Sequence, residues 1–293
     1  MVVKISGVAL ALAVAGFSGE AYAQSVEIDN AVARVIYRVE NRSDIEVSVV
    51  EEGRTNLPPL RVSRNGRNVK IDGQLSGRNR IGSCNSNRAG TEAPSSPGAN
   101  ARVTVRGVGT VDVNDVPLII IKGPRNASIN TNGAVYGSVA RGADNVDIYT
   151  GGCGGWVIGN VRDTVTVSIG GSGNVWTGTA RNMQLNIGGS GTVRATRIED
   201  LNINIGGSGN VVVGEVRGDV DVRVGGSGNV DINEGRIGSL KARVAGSGTI
   251  RFAGTVRDLD ASIMGAGNIE VDRVTGNVNR RIVGVGAIRI HNQ

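Results

Sequence analysis

The chain has 293 residues, 46 of them Gly and six Pro, with a formal net charge of +6. Gly is thus about twice as frequent as its usual ~7%, yet there is no every-third-residue collagen pattern, and an apolar content of 39% excludes compositional disorder. One His, His291, and an aromatic content of 3% argue against catalytic triads, zinc centres and haem ligation. No cofactor or metal is expected, and the composition suits short strands joined by tight turns.

The first 23 residues read as a secretory signal peptide. Lys4 gives the positive start, Val8 to Ala15 is an apolar core too short to span a bilayer, and Ala21-Tyr22-Ala23 is a small-x-small cleavage site. Cleavage after Ala23 starts the mature chain at Gln24. No later stretch is long and apolar enough to be an integral membrane segment. A periplasmic or secreted, surface-associated protein is expected, in an oxidising compartment where Cys84 and Cys153 form one disulfide. The excess of basic residues is modest and is read as ordinary solubility, with no nucleic-acid partner.

Residues 24–100 read as an irregular β region that caps the rest. Ile45 to Val49, Leu60 to Val62 and Val69 to Ile71 alternate apolar and polar between Asn-Arg-Ser and Asn-Gly turn signals. Residues 82–100 read as a loop, which a Cys84–Cys153 bridge would pin to the first regular repeat.

Residues 101–293 read as a repeat domain. GGSGNV at Gly170 to Val175 recurs as GGSGTV at Gly188, as GGSGNV at Gly206 and Gly225, then decays through AGSGTI, MGAGNI and VGVGAI, with GGCGGW at Gly151 as an upstream version. The residues between the flanking glycines, Cys153, Ser172, Ser190, Ser208, Ser227, Ser247, Ala266 and Val285, lie 18 to 20 apart. A fixed period of this size means one unit stacked many times. Gly107 to Val111 looks like an earlier corner, and Thr131 to Val135 like another.

Side-chain alternation decides what is stacked. Three residues after each anchor the chain is always Trp, Val or Ile, and three before each anchor from Ser172 onward always Ile or Val, with mostly polar residues between the apolar ones. Period two on both sides of the anchor means two short strands hinged at the GSG corner. One unit cannot cover its own interior, so about nine coils of 18–20 residues would hydrogen-bond in parallel and form an all-β solenoid about 40 Å long. The corner glycines are expected to supply positive φ and room for close backbone approach. Asn174, Asn210, Asn229 and Asn268 are expected to tolerate left-handed backbone and to form a ladder between coils.

These serial V-x-I-x-G-G-S-G-N-V units in an exported chain resemble the head GIN domain family of auto-transporter adhesins, from about Arg106 onward. The resemblance implies a right-handed parallel β-helix in a bacterial envelope or secreted setting. It implies no catalytic residues.

Several chemistries can be weighed against the pattern. A dinucleotide fingerprint needs a helix after the glycines, whereas here a strand follows. Calcium-binding nonapeptide repeats need an Asp where this chain has Val175, Val193, Val211 or Val230. Outward acids at Asp147, Asp221 and Asp260 are separated by Thr166, Gln184, Asn202 and Lys241, so the carboxylate pair of a glycosidase is not suggested. Arg162, Arg181, Arg217 and Arg257 form a candidate basic strip, accompanied by Asp163, Asp200, Asp219 and Asp258, which favour local charge compensation. Trp176 points outward beside Val157 and Arg194, either as a contact for a sugar or partner or as a residue buried under the N-terminal segment. Arg280 takes an inward position that Val167, Leu185, Ile203 and Val222 hold in earlier coils, and with Arg281 and Arg289 would make a polar end that discourages polymerisation.

The preferred function is an exported, non-catalytic scaffold or adhesion-type binding protein. Its partner would be a cell-surface glycan or an envelope protein, and its state a monomer or weak end-to-end oligomer. A polysaccharide lyase or hydrolase and a self-assembling envelope component are the alternatives.

Overall fold

The computed structural model describes residues 24–77, 80–85 and 95–292. The expected signal peptide lies outside them. The described chain is all-β and stacks about nine turns of solenoid.

The first strand, β1 (Ser25–Val39), is long enough for a whole coil, with Val26, Ile28, Ala33, Val35 and Tyr37 inward and buried. Next come β2 (Glu46–Glu51), β3 (Arg61–Asn65) and β4 (Asn68–Asp72). The Asn65-Gly66 signal marks the hairpin between β3 and β4, whose two-residue turn is Gly66-Arg67 with Gly66 at φ 60°. A three-stranded antiparallel sheet follows, built from β5 (Ile81–Asn85), β6 (Arg102–Val105) and β7 (Gly109–Asp112). The expected loop at 82–100 therefore contributes an edge strand over its first residues. The Gly107 to Val111 element is a correction: it is the β6–β7 hairpin turn, with Gly107 at φ 79° and Gly109 at φ 107°, and not a solenoid corner.

The chain re-enters the solenoid with β8 (Leu118–Gly123) and β9 (Asn126–Val139). Only two residues separate these strands, yet they lie in different layers with β1 between them. On one side β1 pairs in parallel with β4 and β8, and on the other with β9 from Ser25 opposite Ser128 to Tyr37 opposite Val139. β2 and β3 run antiparallel on β8 and β4 and cover that end. From β9 onward the order is sequential through β10 (Asn145–Thr150) and β11 (Cys153–Ile158) to β20 (Val278–Gly284) and β21 (Ala287–Asn292). The Thr131 to Val135 corner is present within β9.

Every inward column read from the sequence is buried through Val274. Each buried Val or Ile contributes about 1.5–3 kcal/mol relative to exposure. Stacking is what permits this, because the lumen of one coil is covered by the lumens of its two neighbours.

The corners correct one expectation. Glycines 171, 173, 189, 191, 207, 209, 226 and 228 do not adopt left-handed φ, and neither do Asn174, Asn210, Asn229 or Asn268. Close approach alone explains these glycines, while the equivalent Gly265 and Gly284 of the last corners combine it with positive φ, at 136° and 128°. The N–H of Ser208 donates to the Gly189 carbonyl at 3.0 Å, and Ser227 repeats this to Gly207. That ladder brings each carbonyl under the second glycine of the next corner, where a Cβ on Gly207 would lie 2.2 Å from Gly189 O. A Cβ on Gly209 would meet Ile187 Cγ2 at 2.5 Å, whereas one on Gly206 meets nothing within 4 Å. The sequence varies accordingly: the first glycine becomes Ala245, Met264 and Val283, while the second and third persist as Gly246 and Gly248, Gly265 and Gly267, Gly284 and Gly286. The expected Asn ladder is seen where Asn229 Nδ2 donates to Asn210 Oδ1 at 3.0 Å.

Candidate binding surface

The strand preceding each corner turns one alternation of residues outward, and parallel register aligns them into columns. Asn182, Asp200 and Asp219 stand beside Gln184, Asn202, Asp221 and Lys241. Together with Thr164 and Ser239 they line an open groove of about 460 Å³ that crosses the coils. Two of its carboxylates serve the backbone: Asp200 Oδ1 accepts the Asp219 N–H at 2.8 Å, and Asp219 Oδ1 accepts the Ser239 N–H at 3.1 Å. Asp221 is held by Arg223 at 2.6 Å. The amides are less committed. Asn202 accepts from Asn204 at 3.3 Å, while Gln184 and Lys241 have no hydrogen-bond or ionic partner among the described residues.

The candidate Arg strip is a series of ion pairs. Arg162 meets Asp144 at 2.6 Å, Arg181 meets Asp163 at 3.4 Å, and Arg257 meets Asp258 at 2.8 Å. Arg217 shares Glu215 with Arg197. Hydrogen bonds from Arg217 and then Arg197 hold the Glu215 carboxyl below its ordinary range, and the Arg257 guanidinium does the same for Asp258. Near the other end, Lys122 and then Arg42 lower Glu46. A carboxyl with a folded pKa below its unfolded value adds stability above the unfolded value, about 4, and loses it as pH falls toward the folded pKa. The melting temperature should therefore drop between pH 5 and pH 3, and added salt at neutral pH should weaken the same pairs. An unchanged melting temperature down to pH 3 would contradict this role for the pairs.

Trp176 and Arg194 are neighbours across two coils, as expected. Trp176 is only 9% exposed, however, because Pro97 to Ala101 lies over it. Arg194 has no ionic partner among the described residues and lines a second groove of about 420 Å³ with Val157, Thr196, Val212 and Asn233. The covering segment belongs to a separate apolar cluster in which Val103, Val113 and Tyr136 pack near Cys84 and Cys153. Those cysteines form the expected disulfide, with a Cα separation of 6.1 Å. In the sequence Gln184 and Asn202 stand out only as interruptions between the outward acids, so the first groove is not legible as a unit.

Among the described residues no cluster of three or more His, Cys, Asp or Glu is arranged to hold a metal ion. No helix among them is long and apolar enough to cross a membrane.

The family model described as "Putative auto-transporter adhesin, head GIN domain" matches residues 38–234 and 215–293. The chain belongs to this family. Head GIN membership agrees with the repeated GSG corners, which carry the stacking in this structure. No curated protein matches the chain. Among solved structures it is similar to the crystal structure of a "Putative lipid binding protein from Parabacteroides distasonis ATCC 8503", at 19% identity over 92% of each chain and a TM-score of 0.46.

Proposed function

We propose that this head GIN protein is an exported, non-catalytic scaffold or adhesion-type binding protein that engages a cell-surface glycan through the groove of Gln184, Asn202 and Lys241. The groove itself carries the reading. Planar amides at adjacent coil positions, about 4.8 Å apart, can each pair with vicinal hydroxyls of a sugar chain lying across the strands. Binding is favoured over hydrolysis because each carboxylate of the groove is already engaged, Asp200 and Asp219 through Oδ1 by backbone N–H groups and Asp221 by Arg223, whereas glycosidic cleavage uses a dedicated acid and base pair. Family membership and the disulfide support an exported setting.

The test is a glycan array and a cell-wall pull-down with the mature chain, repeated with Gln184→Ala/Asn202→Ala and with Arg194→Ala. Loss of two side-chain hydrogen bonds should weaken glycan binding about tenfold or more, while Arg194→Ala should leave it unchanged. Retained binding in the double variant would overturn the groove as the contact. Depolymerisation of an acidic glycan by the purified protein would replace the reading with an enzymatic one.

A further inference from the structure

Apart from Tyr149, the large apolar side chains that are exposed among the described residues all lie at the two ends of the solenoid. At the end formed by β20 and β21 they are Met264, Ile282, Val283 and Val285, at 64%, 45%, 53% and 87% exposure. Met264 and Val283 occupy the first corner position, where earlier coils have Gly or Ala, and Val285 the anchor position, where they have Cys, Ser or Ala; at the first position a Cβ on Gly206 meets nothing within 4 Å, so packing there does not require an apolar residue. Ile282 is the lumen residue whose equivalents Val244 and Ile263 are buried. Charge accompanies the patch. Residues 273–292 include Arg273, Arg280, Arg281 and Arg289 and no acidic residue. Of these four arginines only Arg289 has an acidic partner among the described residues, Glu270 at 3.1 Å. Arg280 stands in the lumen column and is exposed, as its position in the sequence suggested.

We infer that this end docks on an anionic lipid surface, with the apolar corner entering the headgroup boundary and the arginines facing lipid phosphates. An apolar tip with unpaired cations is the combination that such an interface rewards. A hydrated polyanion would reward only the arginines. A second copy joined through the same end would oppose Arg280 and Arg281 to themselves; the opposite end presents Arg61 and Arg64 on β3 but also Glu46, Glu51 and exposed Val49 and Val50 on β2, so end-to-end stacking is the competing outcome that the test separates. Docked this way, the solenoid would stand with its β2–β3 end away from the bilayer and its glycan groove along its side.

The test is co-sedimentation of the mature chain with phosphatidylglycerol–phosphatidylcholine vesicles and with phosphatidylcholine vesicles. Binding is expected to the anionic vesicles and to fall with salt. Arg280→Ala/Arg281→Ala should lower the partition coefficient about thirty-fold, and Val283→Ser/Val285→Ser about tenfold. Arg162→Ala/Arg217→Ala, which removes equal charge from the side of the solenoid, should leave it nearly unchanged. If the arginine pair destabilises the last coil, the exposed valine pair still decides the matter. Failure of the wild type to bind anionic vesicles, or equal losses in the side-face control, would overturn the inference. So would terminal variants that abolish self-association in sedimentation velocity without altering vesicle binding.

Discussion

Gly207→Ala should lower stability by about 3 kcal/mol, and Gly206→Ala, one residue earlier, should change it by no more than about 0.5 kcal/mol. The first substitution places a methyl 2.2 Å from Gly189 O and 2.4 Å from Gly188 O, both backbone atoms. The Gly189 carbonyl also accepts the Ser208 N–H, so the corner can move aside only by giving up that 3.0 Å hydrogen bond. The second substitution meets open space and removes some freedom from the unfolded chain, so it is neutral or slightly stabilising. Urea midpoints compared by circular dichroism check the pair. Equal shifts would mean that backbone flexibility, and not the approach of the neighbouring coil, is why the glycines are there.

Cys84→Ser/Cys153→Ser should release the small antiparallel sheet before the solenoid melts. The bridge spans 69 residues of sequence, for which chain entropy gives about 4 kcal/mol. Serine suits position 153, since Ser172 fills the same place in the next corner. The loss should fall on β5, β6 and β7, whose hold on the coils otherwise rests on the apolar contacts of Val103, Val105 and Val113 with Ala134, Tyr136 and Val32. Hydrogen exchange should show protection lost first between residues 81 and 112, with Trp176 becoming more accessible to quenchers as its cover loosens. A single unchanged transition with protected β5–β7 amides would show that packing alone holds the sheet.

The repeat was legible because its physics is local and periodic. Apolar residues at fixed distances from each GSG define the lumen, and any deviation, such as Arg280, marks a place where burial stops. The reason for the glycines was legible only in part, since φ and close approach leave the same residue in the sequence and only neighbouring coils distinguish them. Trp176 shows the same limit. Its outward direction follows from strand alternation, but its cover comes from Pro97 to Ala101, far away in sequence and without a periodic signal.

By itself the sequence determined the coil, its inward columns, its parallel stacking and the disulfide partners, because each follows from spacing and composition. Tertiary structure alone decided that β1 enters the stack between β8 and β9, that Gly107 to Val111 turns a hairpin instead of a corner, and which outward residues share a groove. The physical reason is that these features depend on nonlocal pairing. A strand's hydrogen-bonding edges carry no sequence label, so the neighbour of Val26 is settled only when Val69 and Ile129 close on it from both sides.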